Sequence, residues 1–349
     1  MKGASPVTVR GLVRPTFGSR FRTRYPISMR PSVARHTIPT GRSRFAEDVA
    51  NHLSQTPRQL PSDHLYDELG SALFEAICRL PWYEITRVEQ RLLERRAHEI
   101  LSLVHPLSTV VELGPGNGLK LTTLLSARPT RPMTVHLVDV SSAALEASGR
   151  ALASHADLVV VPHEATYEAG LTDIAGARRA GGRSLTLFLG SNIGNFDPPG
   201  ANAFLRFLRG ATSTGDSLLL GADLVKSEVE LLLAYDDPLG VTAAFNMNLL
   251  VRANRELDAD FDLGGFTHRA IWNAGASRIE MHLVSVRRQR VRVPAANLDI
   301  TFETGETIWT ESSYKYHADN VVAMVERAGF VTTHQWSEGG FALTLAEAR

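Results

Sequence analysis

The chain has 349 residues, of which 44% are hydrophobic, and its formal net charge is zero; that length suggests about two domains with ample core, and that composition excludes disorder over most of the chain. No apolar run approaches the roughly 18–20 residues that cross a bilayer, which excludes an integral membrane protein. The single cysteine, Cys78, rules out an intrachain disulfide and cysteine-based zinc sites, and fits a reducing, cytoplasmic setting.

Residues 1–46 carry ten basic residues and no acid, leaving 27 basic against 37 acidic residues in the rest, a formal balance of −10. Such a body argues against nucleic-acid binding, because neutralising phosphates needs a basic face. The arm, taken as residues 1–44, has no helical period and is broken by Pro6, Pro15, Pro26, Pro31 and Pro39. Three readings of it stay open: a disordered solvated tail, translated sequence ahead of a true start at Met29, or a transit peptide.

Structure is expected from about Phe45. Residues 66–80 place Leu69, Leu73, Phe74, Ile77 and Leu80 at helical spacing, and Pro81 stops that helix. Thr86-Arg87-Val88-Glu89 reads as a capping box opening a helix through Leu103. Short apolar runs then alternate with helical patterns: STVVELG, a helix from Lys120, TVHLVDV, a helix through Ala151, LVVVP, LTLFLG, a helix near Ala203–Leu208, and SLLLGAD. This order predicts an α/β fold, a mostly parallel sheet with helices on both faces. After Lys226 come two helical stretches (Ser227–Tyr235 and Val241–Arg255) and strands such as HRAIWN and RIEMHLVSV, joined by the turn-like Asn273-Ala274-Gly275. A helix (Asn320–Ala328) and a β pair, FVTTHQW and GFALTLA, close the sheet. The expected organisation is a first domain from residues 88–225 and 314–349, and a second, α+β and substrate-binding, from 45–87 and 226–313.

The most specific local signal is Val111-Glu112-Leu113-Gly114-Pro115-Gly116-Asn117-Gly118. Strand, glycine turn and helix in that order build a nucleotide site at the carboxyl edge of a parallel sheet. Leu119 stands where a dinucleotide fingerprint needs glycine, and Lys120 is followed by Leu121 rather than Ser or Thr, which disfavours a P-loop. An acid before G-x-G-x-G instead resembles the S-adenosylmethionine loop of class I methyltransferases. Asp139, at the end of the next strand, is placed to accept hydrogen bonds from ribose hydroxyls.

The segments YDELGSALFEAICRLPWYEITRVE, VELGPGNGLK, LFLGSNIGNFDP, LLLGADLVK, AYDDPLGVTAAFNMNLL and TESSYKY occur in consistent order over residues 60–349. They resemble the S-adenosylmethionine-dependent histidine Nα-methyltransferases of ergothioneine biosynthesis, which trimethylate the α-amine of free L-histidine to hercynine. The resemblance implies cofactor contacts at Gly114, Gly116, Lys120 and Asp139. It implies substrate contacts at Tyr83, Gly190, Asn195, Tyr235, Glu311 and Ser313, with Tyr66 as a lid contact, and Gly190, Asn195 and Tyr235 nearest the chemistry. Three places depart from the family pattern. Thr166-Tyr167 replaces the Asp-Phe that holds adenine, leaving Tyr167 for the ring contact and Glu164 as a substitute carboxylate. Phe245-Asn246-Met247-Asn248 stands for FNRN, and Pro81-Trp82-Tyr83-Glu84-Ile85 for Pro-Glu-Tyr-Tyr-Pro.

These residue types suit methyl transfer to an amine. An ammonium about 4 Å from a sulfonium is repelled by roughly 4 kcal/mol at an effective dielectric of ~20, equal to about three pKa units, so positioning rather than a strong base carries the reaction. Asn195 and Tyr235 can donate to a substrate carboxylate, and the Gly190 carbonyl or a water can accept from the amine. A Glu311 carboxylate facing an imidazole N–H makes a charge-assisted bond worth roughly 1.5–3 kcal/mol, and a ring without donors leaves it unpaired. Ser313 and Tyr83 can serve the other ring nitrogen. Asp236-Asp237 reads as capping or solvated carboxylates rather than a metal site, and no metal is expected. The expected partner is a small amino acid, the expected state a monomer. Two alternatives remain: the same chemistry on another α-amino acid such as a tryptophan derivative, or a cofactor-binding homologue without catalysis.

Overall fold

The computed structural model describes residues 41–128, 131–177 and 182–349; the readings made for residues 1–40 lie outside the described residues. Helix α1 spans Gly41–Leu53, so it takes in residues 41–44 that the sequence assigns to the arm. Phe45, Val49 and Leu53, each four residues apart, form its fully buried stripe. A two-residue strand β1 (Arg58–Gln59) and a 3-10 turn (Ser62–Leu65) lead into α2 (Glu68–Ile77). That helix is shorter than the periodicity of residues 66–80 predicts. Asp67 accepts from the Gly70 N–H at 2.7 Å and fixes its start.

Helix α3 (Ile85–Leu103) forms where expected but without the expected capping box. Its N-cap is Glu84, with no side-chain bond, and the Thr86 hydroxyl turns to the Cys78 Sγ at 3.4 Å. Glu89 is fully buried, its carboxylate directed inward. This corrects the sequence reading: a carboxylate at the third position of a helix is free to cap only when nothing stronger meets it, and here a lysine does.

Strands and helices then alternate: β2 (Leu107–Leu113), α4 (Leu119–Ser126), β3 (Met133–Asp139), α5 (Ser142–Leu152), β4 (Leu158–Glu164), α6 (Tyr167–Ala177), β5 (Arg183–Phe188), α7 (Pro198–Ala211) and β6 (Ser217–Asp223). Sequence patterning left out α6, whose apolar stripe is weak and contains Gly170 and Gly176. Every residue of β6 is buried, as a central strand requires. The chain continues through α8 (Glu228–Tyr235), α9 (Val241–Leu257), β7 (Phe266–Asn273), β8 (Arg278–Ser285), β9 (Gln289–Val293), β10 (Leu298–Phe302), β11 (Thr307–Tyr314), α10 (Ala318–Arg327), β12 (Phe330–Glu338) and β13 (Phe341–Ala348).

The large sheet has the order β12-β13-β6-β5-β2-β3-β4. Its last five strands run parallel, while β13 is antiparallel to β6 and β12 to β13. Helices α3, α4 and α5 share one apolar cluster with it and α6, α7 and α10 another, so both faces are covered. This is the class I methyltransferase sheet expected from the sequence. The strand order reverses between β2 and β5, which opens a crevice at their carboxyl ends.

A second sheet has the order β1-β11-β8-β7, with β9 and β10 as a separate pair. One irregularity in it matters. Between Trp309 and Glu311 the register on β8 advances by only one residue, from His282 to Met281, so β11 carries a bulge at Thr310. The extra residue puts Trp309 and Glu311 on opposite faces, where a regular strand would put them together. Trp309 stacks on His282, and Glu311 turns inward beside Met281. Beyond Tyr314 the chain crosses to the large sheet, where Tyr316 donates to the Asp223 carbonyl and accepts from the Val225 N–H.

Candidate active site

The crevice at the switch point is a cleft of about 870 Å³. Gly114, Gly116 and Asn117 form its floor, Asp139, Val140 and Ser141 one wall, and Thr166, Tyr167 and Glu168 another. Gly114 and Gly116 have φ of +73° and +56°, a region that side chains rarely adopt. A Cβ on Gly116 meets nothing within 4 Å, so bare backbone faces the open cleft; one on Gly114 comes within 2.8 Å of the Asn192 amide and 2.9 Å of the Tyr167 hydroxyl. Asp139 accepts from the Ser141 N–H at 2.8 Å, and burial raises its pKa against those backbone bonds.

Thr166 is at the cleft, but its hydroxyl accepts from the Ala169 N–H at 3.3 Å at the start of α6. Glu164, the substitute expected from the sequence, is exposed and outside the lining; Glu168, in the first turn of α6, lines the cleft instead. Lys120 does not line it either. Its ammonium pairs with buried Glu89, whose two carboxylate oxygens also accept from the Gly190 N–H at 2.8 and 2.9 Å. Glu89 therefore ties α3, α4 and the loop after β5 together behind the cleft. Above it, burial pushes Glu112 up to about 8, with Lys120 pulling the other way.

A small cavity adjoins the cleft. It is lined by Tyr66, Phe74, Ile77, Tyr83, Ala234, Tyr235, Thr242, Phe245, Met281 and Glu311. Tyr66 and Phe74 belong to both walls, so the two spaces meet there. Aromatic rings run through the cavity in sequence, Phe245 to Tyr66 at 5.5 Å, Tyr66 to Phe74 at 5.6 Å, Phe74 to Tyr83 at 6.2 Å and Tyr83 to Tyr235 at 6.1 Å. Among the described residues no donor bonds the Glu311 carboxylate. Burial pushes Glu311 up to about 7, moderated by the charge of Lys315. Burial likewise raises the phenols of Tyr66, Tyr83 and Tyr235, which remain neutral donors.

Ser313 follows Glu311 on the same face of β11 and is buried, bonded to Tyr235 Oη at 2.7 Å. Lys315, next on that face, is fully buried. It donates to Tyr235 Oη at 2.8 Å and Ser313 Oγ at 2.9 Å, and pairs with Asp223 at 2.9 Å. Burial works to lower its pKa, but Asp223 and Tyr235 hold it above the usual lysine value.

The structure thus brings Tyr66, Tyr83, Tyr235 and Glu311 into one cavity, with Ser313 behind Tyr235. Asn195 lies apart, exposed in the cleft lining, and Gly190, with φ of +75°, lines neither space. Sequence reasoning missed Glu89, Asn192, Glu168 and Lys315. For Lys315 the signal was present, since E-x-S-x-K has the period of a strand face. At the two remaining departures the residues that differ, Met247, Trp82, Glu84 and Ile85, lie outside the cavity lining, whereas Phe245 and Tyr83 are part of it. Asn246 bonds the His268 ring at 2.9 Å and the His282 carbonyl, Asn248 bonds Asp67 at 2.7 Å, and Met247 and Trp82 pack against the core. Asp237 accepts from Leu239, Val241 and Thr242 N–H groups, which makes it the cap expected.

A family model described as histidine-specific methyltransferase, S-adenosylmethionine-dependent, matches residues 45–348. The chain belongs to that family. It is 42% identical over 324 residues to a histidine N-alpha-methyltransferase of Mycobacterium tuberculosis, covering 91% of this chain and 99% of that one. Identity to the Mycolicibacterium smegmatis protein of the same name is 42% over 304 residues, covering 86% and 93%. A protein named L-tryptophan methyltransferase from Psilocybe serbica is 29% identical over 310 residues, covering 80% and 85%.

As a member of the histidine-specific methyltransferase family, the chain is an S-adenosylmethionine-dependent transferase. The cleft fits that cofactor. Bare backbone at Gly116 admits close approach, and the Asp139 carboxylate faces the space beside it.

Proposed function

We propose that the chain methylates the α-amine of free L-histidine three times, giving hercynine for ergothioneine biosynthesis, with Glu311 reading the imidazole ring. The observation that carries the assignment of the ring is the buried, unpaired Glu311 carboxylate in an aromatic cavity that opens, past Tyr66 and Phe74, onto the cleft of the glycine loop. A buried carboxylate without a partner costs several kcal/mol in a folded protein, so its retention points to a ligand that supplies the missing donor. An imidazole N–H is such a donor.

The bound cofactor supplies an electrophilic methyl group on a sulfonium. Gly114, Gly116, Asn192, Asp139 and Tyr167 would hold it. Lys120 acts through Glu89, fixing the Gly190 backbone where the amine is to lie. The Tyr235 hydrogen is given to Ser313, so the donor for the substrate carboxylate in this reading is Asn195. Tyr66, Tyr83 and Tyr235 close an aromatic wall that tolerates the growing methylammonium by cation–π attraction. Residues 45–87 and 226–313 form the substrate-binding part.

The reading extends to a cytoplasmic monomer acting on a small molecule and not on nucleic acid. Support for the small-molecule reading comes from the acidic balance beyond the arm and, for the compartment, from the single cysteine. No helix among the described residues is long and apolar enough to cross a membrane. Incubation with S-adenosylmethionine and each of the twenty amino acids, read by mass spectrometry, tests the substrate. Trimethylated product confined to histidine is expected; methylated tryptophan in its place overturns the assignment.

A further inference from the structure

The cofactor cleft has a direction. Gly194, in the loop after β5, packs so closely on the end of β11 that a Cβ there would come within 2.7 Å of the Tyr314 carbonyl, and β11 carries Glu311 of the adjoining cavity. A methyl donor that reacts toward that cavity extends its nucleoside the other way, from the glycine loop after β2 past β3 to β4. Neighbouring strands lie about 4.8 Å apart, so the two steps cover about 10 Å, room for a nucleoside. With the ribose at Asp139 after β3, the base falls at the end of β4. The wall there is apolar on one side: Val140 is half exposed, and Ala143, Ala144 and Ala147 of α5 also line the cleft. On the other side stand Thr166, whose hydroxyl is turned to the Ala169 N–H, and Glu168. Among the described residues no hydrogen bond or ion pair engages the Glu168 carboxylate. Burial raises the Tyr167 pKa, and the charges of Asp139 and then Glu168 add to it, so both carboxylates lie within electrostatic reach of that one cleft side chain.

We propose that Glu168 accepts a hydrogen bond from the 6-amino group of the cofactor's adenine, supplying from the first turn of α6 the carboxylate that position 166 lacks, and so selects a 6-aminopurine. An ionised carboxylate only accepts, and the amine is the one group on that edge of adenine that donates. A purine without the amine leaves the carboxylate unpaired, and a 6-oxo purine sets two acceptors against each other. Glu168 is exposed, so solvent screens the contact and keeps it at the weak end of charge-assisted bonds. The inference concerns the cofactor alone and holds whichever amino acid is methylated.

The test compares calorimetric dissociation constants of S-adenosylhomocysteine and its 6-deamino analogue, in which hydrogen replaces the amine, with no amino acid present. Wild type should prefer S-adenosylhomocysteine by about tenfold. In Glu168→Ala that preference should fall close to unity. Glu168→Gln, whose amide oxygen still accepts but carries no charge, should keep about threefold. A glutamate that serves only the helix start weakens both ligands alike and leaves the tenfold ratio in Glu168→Ala; that result overturns the proposal. Equal affinity of wild type for the two ligands overturns it as well, since the amine is then not read. Because the ratio is measured without an amino acid, it stands or falls separately from the histidine assignment.

Discussion

Replacing Glu311 with glutamine should make the protein more stable and worse at binding its substrate. The carboxyl is buried among Tyr66, Tyr83, Tyr235 and Met281, and burial moves it from the ordinary 4.5 to about 7. Because the folded state raises the pKa of an acid, it holds the proton more tightly than the unfolded chain does. Stability from this group is therefore present below 4.5 and is lost as pH rises through 7. The full penalty is about 3 kcal/mol at pH 8, at 1.36 kcal/mol per pKa unit, and shrinks to about 1 kcal/mol at pH 5. Glutamine keeps the shape and carries no charge. Urea denaturation of the ligand-free protein should show Glu311→Gln more stable than wild type by about 3 kcal/mol at pH 8, with the gap narrowing toward pH 5. Calorimetry with histidine should show affinity reduced roughly 10- to 150-fold, the equivalent of a charge-assisted bond. Wild type equal to or more stable than the variant at pH 8 would refute the reasoning, for it would mean that the carboxylate already has a partner.

Two further outcomes follow from the cleft. Glu89→Gln leaves the Lys120 ammonium facing a neutral amide, and with Lys120 partly exposed the loss should be about 2 kcal/mol of stability, read by denaturation, accompanied by weaker cofactor binding. Asp139→Asn should weaken S-adenosylhomocysteine binding by roughly 10- to 150-fold in calorimetry while leaving the unfolding midpoint of the ligand-free protein nearly unchanged.

Much of this was legible in the sequence because it is local. The strand and glycine turn of VELGPGNG, the cap at Asp237 and the alternation of apolar runs each lie within a few residues, and all appear where expected. The errors came from partners distant in sequence. Glu89 has the spacing of a cap, but its partner Gly190 lies 101 residues away, and only the fold brings them together. The bulge at Thr310 has no signature in the run Ile308-Trp309-Thr310-Glu311-Ser312, yet it decides that Glu311 faces the cavity rather than the side of Trp309. The sequence offers Tyr235 as a candidate site residue, but gives no sign that its hydroxyl is engaged by Ser313 and Lys315. Weak amphipathicity hid α6, and with it the position of Glu168.

The claim most in need of a direct look is that the ring of histidine, rather than its carboxylate, meets Glu311. A crystal structure with histidine and S-adenosylhomocysteine bound measures this. The ring N–H should lie within about 3 Å of a Glu311 carboxylate oxygen, and the α-amine should face Gly190 and Asn195. Histidine seated the other way round, or held away from the Tyr66–Tyr235 cavity altogether, would contradict the account.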